Sequence, residues 1–303
     1  LNKGWLKAGK FAAMLLVLAL VARSLARNWT AFQSVQVTLD VKIGWLAASV
    51  GVIFVTYAIQ IESWRRMLRG WDQRLSYPNA AGAWTLANLG RYIPGKVWSV
   101  AGLVVLAERA GVRRSAAAVS AFAMQAVVLG TGVVLVAIAT PHAASPLLLG
   151  GAVLAALALI GVLAWRRTAQ WLGTLADSTT PLPPLPLSAI IVSSGLMLIS
   201  WATFGISFWM LIRGLISTVS VSVPAAMGMF ALGYVMGLIA LVAPGGLGVR
   251  DLALVGFLTP LVGSGGALAV SLASRVQLTL TEVGSAGLML ALKRGPKENS
   301  TGS

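Results

Sequence analysis

The sequence predicts an all-α integral membrane protein: six transmembrane helices and two re-entrant helical hairpins of opposite orientation, laid out as an inverted repeat. Three observations lead there. Hydrophobic residues make up 57% of the chain and charged residues only 10%, against roughly a quarter charged in a soluble domain. Several apolar runs reach the roughly 20 residues that a membrane helix needs. A Pro-Gly break inside apolar sequence occurs twice, at Pro94-Gly95 and at Pro244-Gly245-Gly246, with cations beside each copy.

The elements follow in order. The first span, Gly9–Arg27, is entered after Lys3, Lys7 and Lys10. That start resembles a signal peptide, but the number of apolar segments that follow favours an uncleaved helix. The second span is Ile43–Ile61, the third Ser115–Ala139, the fourth Pro146–Trp165, the fifth Leu187–Ile212 and the sixth Gly266–Ala291. Between the second and third lies the first Pro-Gly segment, about 79–106; between the fifth and sixth lies the other, about 223–260. In each, the break separates two apolar stretches too short to cross singly. Proline removes a backbone donor and glycine relaxes the backbone, so the helix breaks there. Non-helical backbone at membrane depth is tolerated only when protein or a wet cavity surrounds it. Both segments are therefore expected to enter and leave on one side. Residues 1–293 then form a single membrane domain, with repeats at about 5–140 and 146–293 joined by the uncharged Pro141–Pro146 loop, which holds the lone His142. Gly263 falls in an outer loop, and residues 294–303 form a polar, disordered tail.

The cations fit this layout. With the N-terminus cytoplasmic, 15 of the 23 Lys and Arg residues fall on the inner side, as the positive-inside rule requires. Both termini are then cytoplasmic. Trp29 and Trp45 at outer ends, and Trp64, Trp71, Trp165 and Trp171 at inner ends, match interfacial aromatic belts. The net charge of +15 thus reads as orientation and attraction to anionic lipid, and not as nucleic-acid binding. There is no cysteine, hence no disulfide or thiolate chemistry. No metal site, no cofactor and no P-loop are expected, so ATP hydrolysis within the chain is not.

Four cations, Arg91, Lys96, Arg250 and Arg275, fall at membrane depth, where an ionisable residue signals function by default. Each Pro-Gly break starts a half-helix whose free N–H groups and dipole favour an anion. Around the first break the candidate binding residues are Asn88, Arg91, Tyr92, Pro94, Gly95, Lys96 and Trp98; around the second they are Pro244, Gly245, Gly246, Gly248, Arg250 and Asp251. The bland alternatives are snorkelling for Arg91 and Lys96 and helix capping for Asp251. Arg275 and Glu282 sit seven residues apart on one face of a helix rich in Ser and Thr. They are read either as an ion-pair set with Arg250 and Asp251, or as a substrate cation and a proton-coupling carboxylate. Gln125 is expected to hydrogen-bond between helices. Gly233 and Gly237 form a GxxxG pattern expected to pack within the second hairpin.

The segments Asn88-Leu-Gly-Arg-Tyr-Ile-Pro-Gly-Lys-Val-Trp98, Glu108-Arg-Ala-Gly111 and Pro244-Gly-Gly-Leu-Gly-Val-Arg-Asp251 resemble the lysylphosphatidylglycerol synthase transmembrane-region family, a flippase-like membrane domain. Asp251 stands where that family often has Glu. The resemblance implies a bacterial inner-membrane protein that moves an anionic lipid or lipid-linked headgroup between leaflets. The soluble lysyl-transfer domain is absent from this chain, so lipid aminoacylation is not implied. The expected function is a lipid flippase or transporter of lipid phosphates and lipid-linked sugars, not an enzyme. The alternatives are a membrane-embedded glycosyltransferase or lipid-modifying enzyme, and an accessory scaffold for envelope lipid synthesis. Candidate protein partners are a second copy of the chain or an envelope-synthesis enzyme.

Overall fold

The computed structural model describes residues 40–93, 97–139, 182–239 and 248–292, with scattered helical positions between 150 and 174. The first predicted span, most of the fourth, the loop at His142, both Pro-Gly breaks and the C-terminal tail lie outside the described residues. What is described forms helices and no strand: α1 (Ile43–Arg69), α2 (Tyr77–Asn88) with a 3₁₀ turn (Leu89–Tyr92), α3 (Val97–Arg109), α4 (Arg114–Ala139), α5 (Leu187–Leu215), α6 (Val223–Ile239) and α7 (Val249–Leu292). Among the described residues α1, α4, α5 and α7 are long and apolar enough to cross a membrane. They cover the second, third, fifth and sixth predicted spans.

Two boundaries differ from expectation for physical reasons. Helix α1 runs on past Ile61, because Glu62 accepts from Arg65 and, at 2.6 Å, from Arg66, with Arg69 3.7 Å away. Charge pairs at three- and four-residue spacing continue the helix beyond its apolar part. The second arm of the second Pro-Gly segment and the last span form one element, α7, with a corner at Gly263 (φ 71°, ψ 167°). The predicted outer loop is thus a single residue in a backbone conformation that favours glycine.

Helices α2 and α3, with 12 and 13 residues, are about 18–20 Å long, short of the roughly 30 Å hydrocarbon core. They fold back on each other closely. A Cβ on Gly90 would stand 2.7 Å from the backbone of Trp98 and Ser99, and one on Gly102 would meet Ala87 at 3.5 Å. Proline at the start of α2 (Pro78) is accommodated there, because the first helical N–H groups have no intrahelical partner anyway. Helix α6 also opens on a proline, Pro224. It packs against the 249–262 arm of α7, where a Cβ on Gly233 would touch Leu254 at 3.2 Å, as the GxxxG pattern predicts.

The centre of the bundle is the antiparallel pair α1 and α5, joined by small polar residues. Ser49 donates to the Ser207 carbonyl at 2.8 Å and Ser207 to the Ser49 carbonyl at 3.0 Å. Ser63 and Ser193 exchange the same reciprocal bonds at 2.9 Å. Thr56 meets Thr203 and Gln60 meets Ser200 between them. Ser49 is to Ser207 as Ser193 is to Ser63, a local two-fold relation between the helices. Small interfacial residues let two helices approach closely where lipid supplies no hydrophobic drive.

Trp64 and Trp71 are not interfacial. They are 0% and 5% exposed, with their indole N–H groups on Ser120 and the Pro183 carbonyl. A buried indole whose N–H finds a partner packs as core. Gln125, by contrast, is exposed. The two ends of the bundle differ in charge. Arg65, Arg66, Arg69, Arg74, Arg109, Arg113 and Arg114 gather at one end, where the Arg113 amide donates to Gln73. Lys42 and Arg213 lie at the other, where the Lys42 amide donates to Gly214. At that second end the Ser217 hydroxyl donates to Asp40 and holds its carboxyl below the ordinary value.

Candidate functional site

Helix α7 carries Ser271, Ser274, Arg275, Thr279 and Glu282 on one face, and all five are buried. Their three- and four-residue spacing puts them in line. Residues at the tips of both hairpins reach this face, within about 10 Å of one another along the axis.

From the second hairpin come Arg250 and Asp251. Asp251 binds Arg275 through two bonds, Nε to Oδ1 at 3.1 Å and Nη2 to Oδ2 at 2.5 Å. Its Oδ2 also accepts the Gly248 amide at 3.1 Å, where Gly248 has φ +87°. Asp251 therefore both caps the arm and ties it to the last span. Arg250 is 6% exposed. Its Nη2 donates to Ser274 at 2.8 Å, its guanidinium lies 5.3 Å from the Phe230 ring centre, and its Nε has no partner. Among the described residues it has no ion-pair partner.

From the first hairpin come Asn88, Arg91 and Tyr92. Arg91 donates from Nη1 to Glu282 Oε1 at 2.8 Å and from Nη2 to Asn88 Oδ1 at 3.1 Å. The Tyr92 hydroxyl donates to Glu282 Oε2 at 2.7 Å and lies 3.1 Å from Thr279 Oγ1. Tyr57 of α1 meets Thr281 at 3.1 Å, and Gln277 donates to Ser49. The face of α7 thus connects both hairpins to the α1–α5 pair.

The structure brings Asn88, Arg91, Tyr92, Gly248, Arg250, Asp251, Arg275 and Glu282 into one cluster. Trp98 stands at the start of α3 and is 52% exposed. Pro94, Gly95, Lys96, Pro244, Gly245 and Gly246 lie outside the described residues. Of the two readings for α7, the ion-pair set holds for Arg275 with Asp251. Glu282 instead pairs across to the first hairpin, and Arg250 joins no carboxylate among the described residues. Three participants escaped the sequence reading. Tyr57 and Phe230 sit on helices whose pattern reads as plain core, and Gly90 is set by the close return of the chain at Trp98. Among the described residues no group of three His, Cys, Asp or Glu side chains could hold a metal.

Arg91, Arg250 and Arg275 face Asp251 and Glu282, so the described cluster has one cation more than it has carboxylates. The surplus falls on Arg250. A buried, unpaired guanidinium costs several kcal/mol, and its forked donors match a phosphate.

One known family matches most of the chain. The model of the lysylphosphatidylglycerol synthase TM region matches residues 9–281. The chain belongs to this family. The match covers the described helices that build the site as far as Thr281 of α7, one residue short of Glu282. Family membership and the long apolar helices together make this a multi-pass membrane protein connected with lipid. No curated protein matches the chain.

Proposed function

We propose that this protein is a lipid flippase. It carries the phosphate of an anionic lipid or lipid-linked sugar across a bacterial inner membrane by alternating access, while the acyl or prenyl chains stay in the bilayer. The observation that carries this reading is Arg250, a guanidinium shielded from water, without a carboxylate, placed where both hairpin tips meet α7. A desolvated cation of this kind is an anion receptor.

Three further features support it. The reciprocal serine pairs of α1 and α5 are what an inverted repeat produces when its equivalent helices meet, and transporter sites form where such repeats face each other. Helices α2 and α3, too short to span, and the α6 pair with the 249–262 arm suit oppositely oriented re-entrant hairpins. With the predicted first and fourth spans, the long helices complete six crossings. The arginine-rich end fits the cytoplasmic side, where the sequence expects both termini. Without a nucleotide motif, transport runs on a gradient or downhill.

The transferase alternative is weaker. Both carboxylates of the cluster, Asp251 and Glu282, are committed to guanidinium partners, which leaves neither as a free base.

The test is transport of fluorescent phosphatidylglycerol, and of a polyprenyl phosphate, in phosphatidylcholine proteoliposomes. Arg250→Met should lower the rate about tenfold or more, since a hydrogen bond to a charged group contributes roughly 1.5–3 kcal/mol. Arg66→Ala, at the half-exposed edge of the Glu62 cluster, should leave it near wild type. Equal rates for the two folded variants would remove Arg250 from substrate binding.

A further inference from the structure

We propose that Glu282 is an internal stand-in for the substrate phosphate, holding Arg91 while the site is empty and surrendering it when an anionic headgroup arrives. The proposal rests on the lipid-phosphate reading of the site and assigns the residue that sets its affinity.

The geometry separates the two carboxylates of the cluster. Asp251 engages both edges of the Arg275 fork and accepts the Gly248 amide as well. An incoming phosphate would have to break that fork. Glu282 touches Arg91 through one oxygen only, and its other oxygen accepts from Tyr92. When Arg91 turns away, Glu282 keeps the Tyr92 bond, with Thr279 beside it, so the carboxylate is not stranded. The accessible partner is also the right one. The Arg91 side chain is 29% exposed and that of Glu282 4%, so a headgroup reaches the cation from the open side with Glu282 behind it. A guanidinium has five N–H donors, and Glu282 and Asn88 take one each. The rest have no partner among the described residues and can receive a phosphate before the old bond is released.

A carrier gains from this arrangement. Binding must be favourable enough to load and weak enough to unload. A second bare guanidinium beside Arg250 would hold phosphate too tightly. A carboxylate that competes for Arg91 lowers the fraction of sites ready to bind and raises the apparent dissociation constant by that fraction.

The prediction is unusual for the loss of an ion pair. Glu282→Gln should bind dihexanoylphosphatidylglycerol roughly tenfold more tightly than wild type, within the usual range for coupled sites, measured as the ligand-dependent rise of the unfolding midpoint in detergent. Its turnover in proteoliposomes should fall, because release slows. Glu282→Asp, which withdraws the charge without removing it, should move the same way by less, and it decides the matter if Glu282→Gln does not fold. The double variant Arg91→Gln/Glu282→Gln should bind more weakly than wild type. Inorganic phosphate titrated alongside separates recognition of the bare anion, equal for both ligands, from recognition of a lipid headgroup, which favours the lipid. Binding that is unchanged or weaker in the folded Glu282 variant would overturn the proposal. Tighter binding with no transport in the wild type would leave it standing and sink the flippase reading alone.

Discussion

Helix α6, the first arm of the second hairpin, is wedged among rings, whereas α3, the second arm of the first hairpin, is mostly exposed and the tip before it is held by polar bonds. Phe230 stacks on Phe204 at 5.1 Å and Tyr234 meets Trp201 edge-on at 5.2 Å, while Ala226 and Ala231 are fully buried. In α3 only Leu103 and Ala107 are buried, and the hairpin tip meets α7 through Arg91, Tyr92 and Glu282. Similar sequence devices, a proline start and a Pro-Gly break, thus serve one arm built as a fixed wall and one built as a latched flap. A packed aromatic wall has one arrangement, but a polar latch has an open and a closed one. In the proposed alternating-access cycle, the difference assigns the moving part to α3 and the tip of its hairpin.

The largest effect should come from unseating the fixed wall. Arg275→Met leaves Asp251 without its guanidinium. Breaking a buried pair costs about 3–5 kcal/mol, and the 22% exposure of the Asp251 side chain places this case at the low end. The unfolding midpoint in detergent should drop clearly. An unchanged midpoint would mean the Asp251 pair does not hold the second hairpin.

Gly205→Val attacks the same wall from α5. A Cβ there would lie 2.2 Å from Met227 Cγ and 2.5 Å from its Cα, so α6 must move away. Overpacking of this kind costs about 1–3 kcal/mol, and the midpoint should fall accordingly. Gly90→Ala is the matching test on the flap. Its Cβ would meet the Trp98 and Ser99 backbone at 2.7 Å, but α3 is mostly exposed and can shift outward. Stability should fall by only about 1 kcal/mol, while transport falls much further because Arg91 is displaced. If Gly90→Ala destabilised as strongly as Gly205→Val, the flap would be as rigid as the wall.

Much of this was legible in the sequence, and the reasons are local. Run length located the four long helices, and helical spacing put Arg275 and Glu282 on one face, while both Pro-Gly breaks lie outside the described residues. What depends on the partner was not legible. Glu282 was read with Arg250 and Asp251, its neighbours in the second hairpin, yet Arg91 reaches it from 191 positions away. Trp64 and Trp71 read as belt residues because their position near a helix end is visible and the face they present is not. Gly263 read as an ordinary loop glycine, since φ is set by the corner it turns. A leucine there would be strained.

The smallest effects should fall on the axis shared by both hairpins. Ser193→Ala removes one member of a reciprocal pair between α1 and α5, and hydrogen bonds between membrane helices contribute about 0.6 kcal/mol on average. Ser49 holds the equivalent position by the local two-fold, but it also accepts from Gln277 of α7. Ser49→Ala should therefore cost more than Ser193→Ala, because it strips the Gln277 amide of a partner as well. In a Gln277→Leu background the two serine substitutions should cost the same. Unfolding midpoints of the four combinations form a double-mutant cycle that isolates the Gln277 contribution. A gap between the serines that persists without Gln277 would show that the two pairs are not equivalent. The two-fold that supports the proposed inverted repeat would then fail where it should be cleanest.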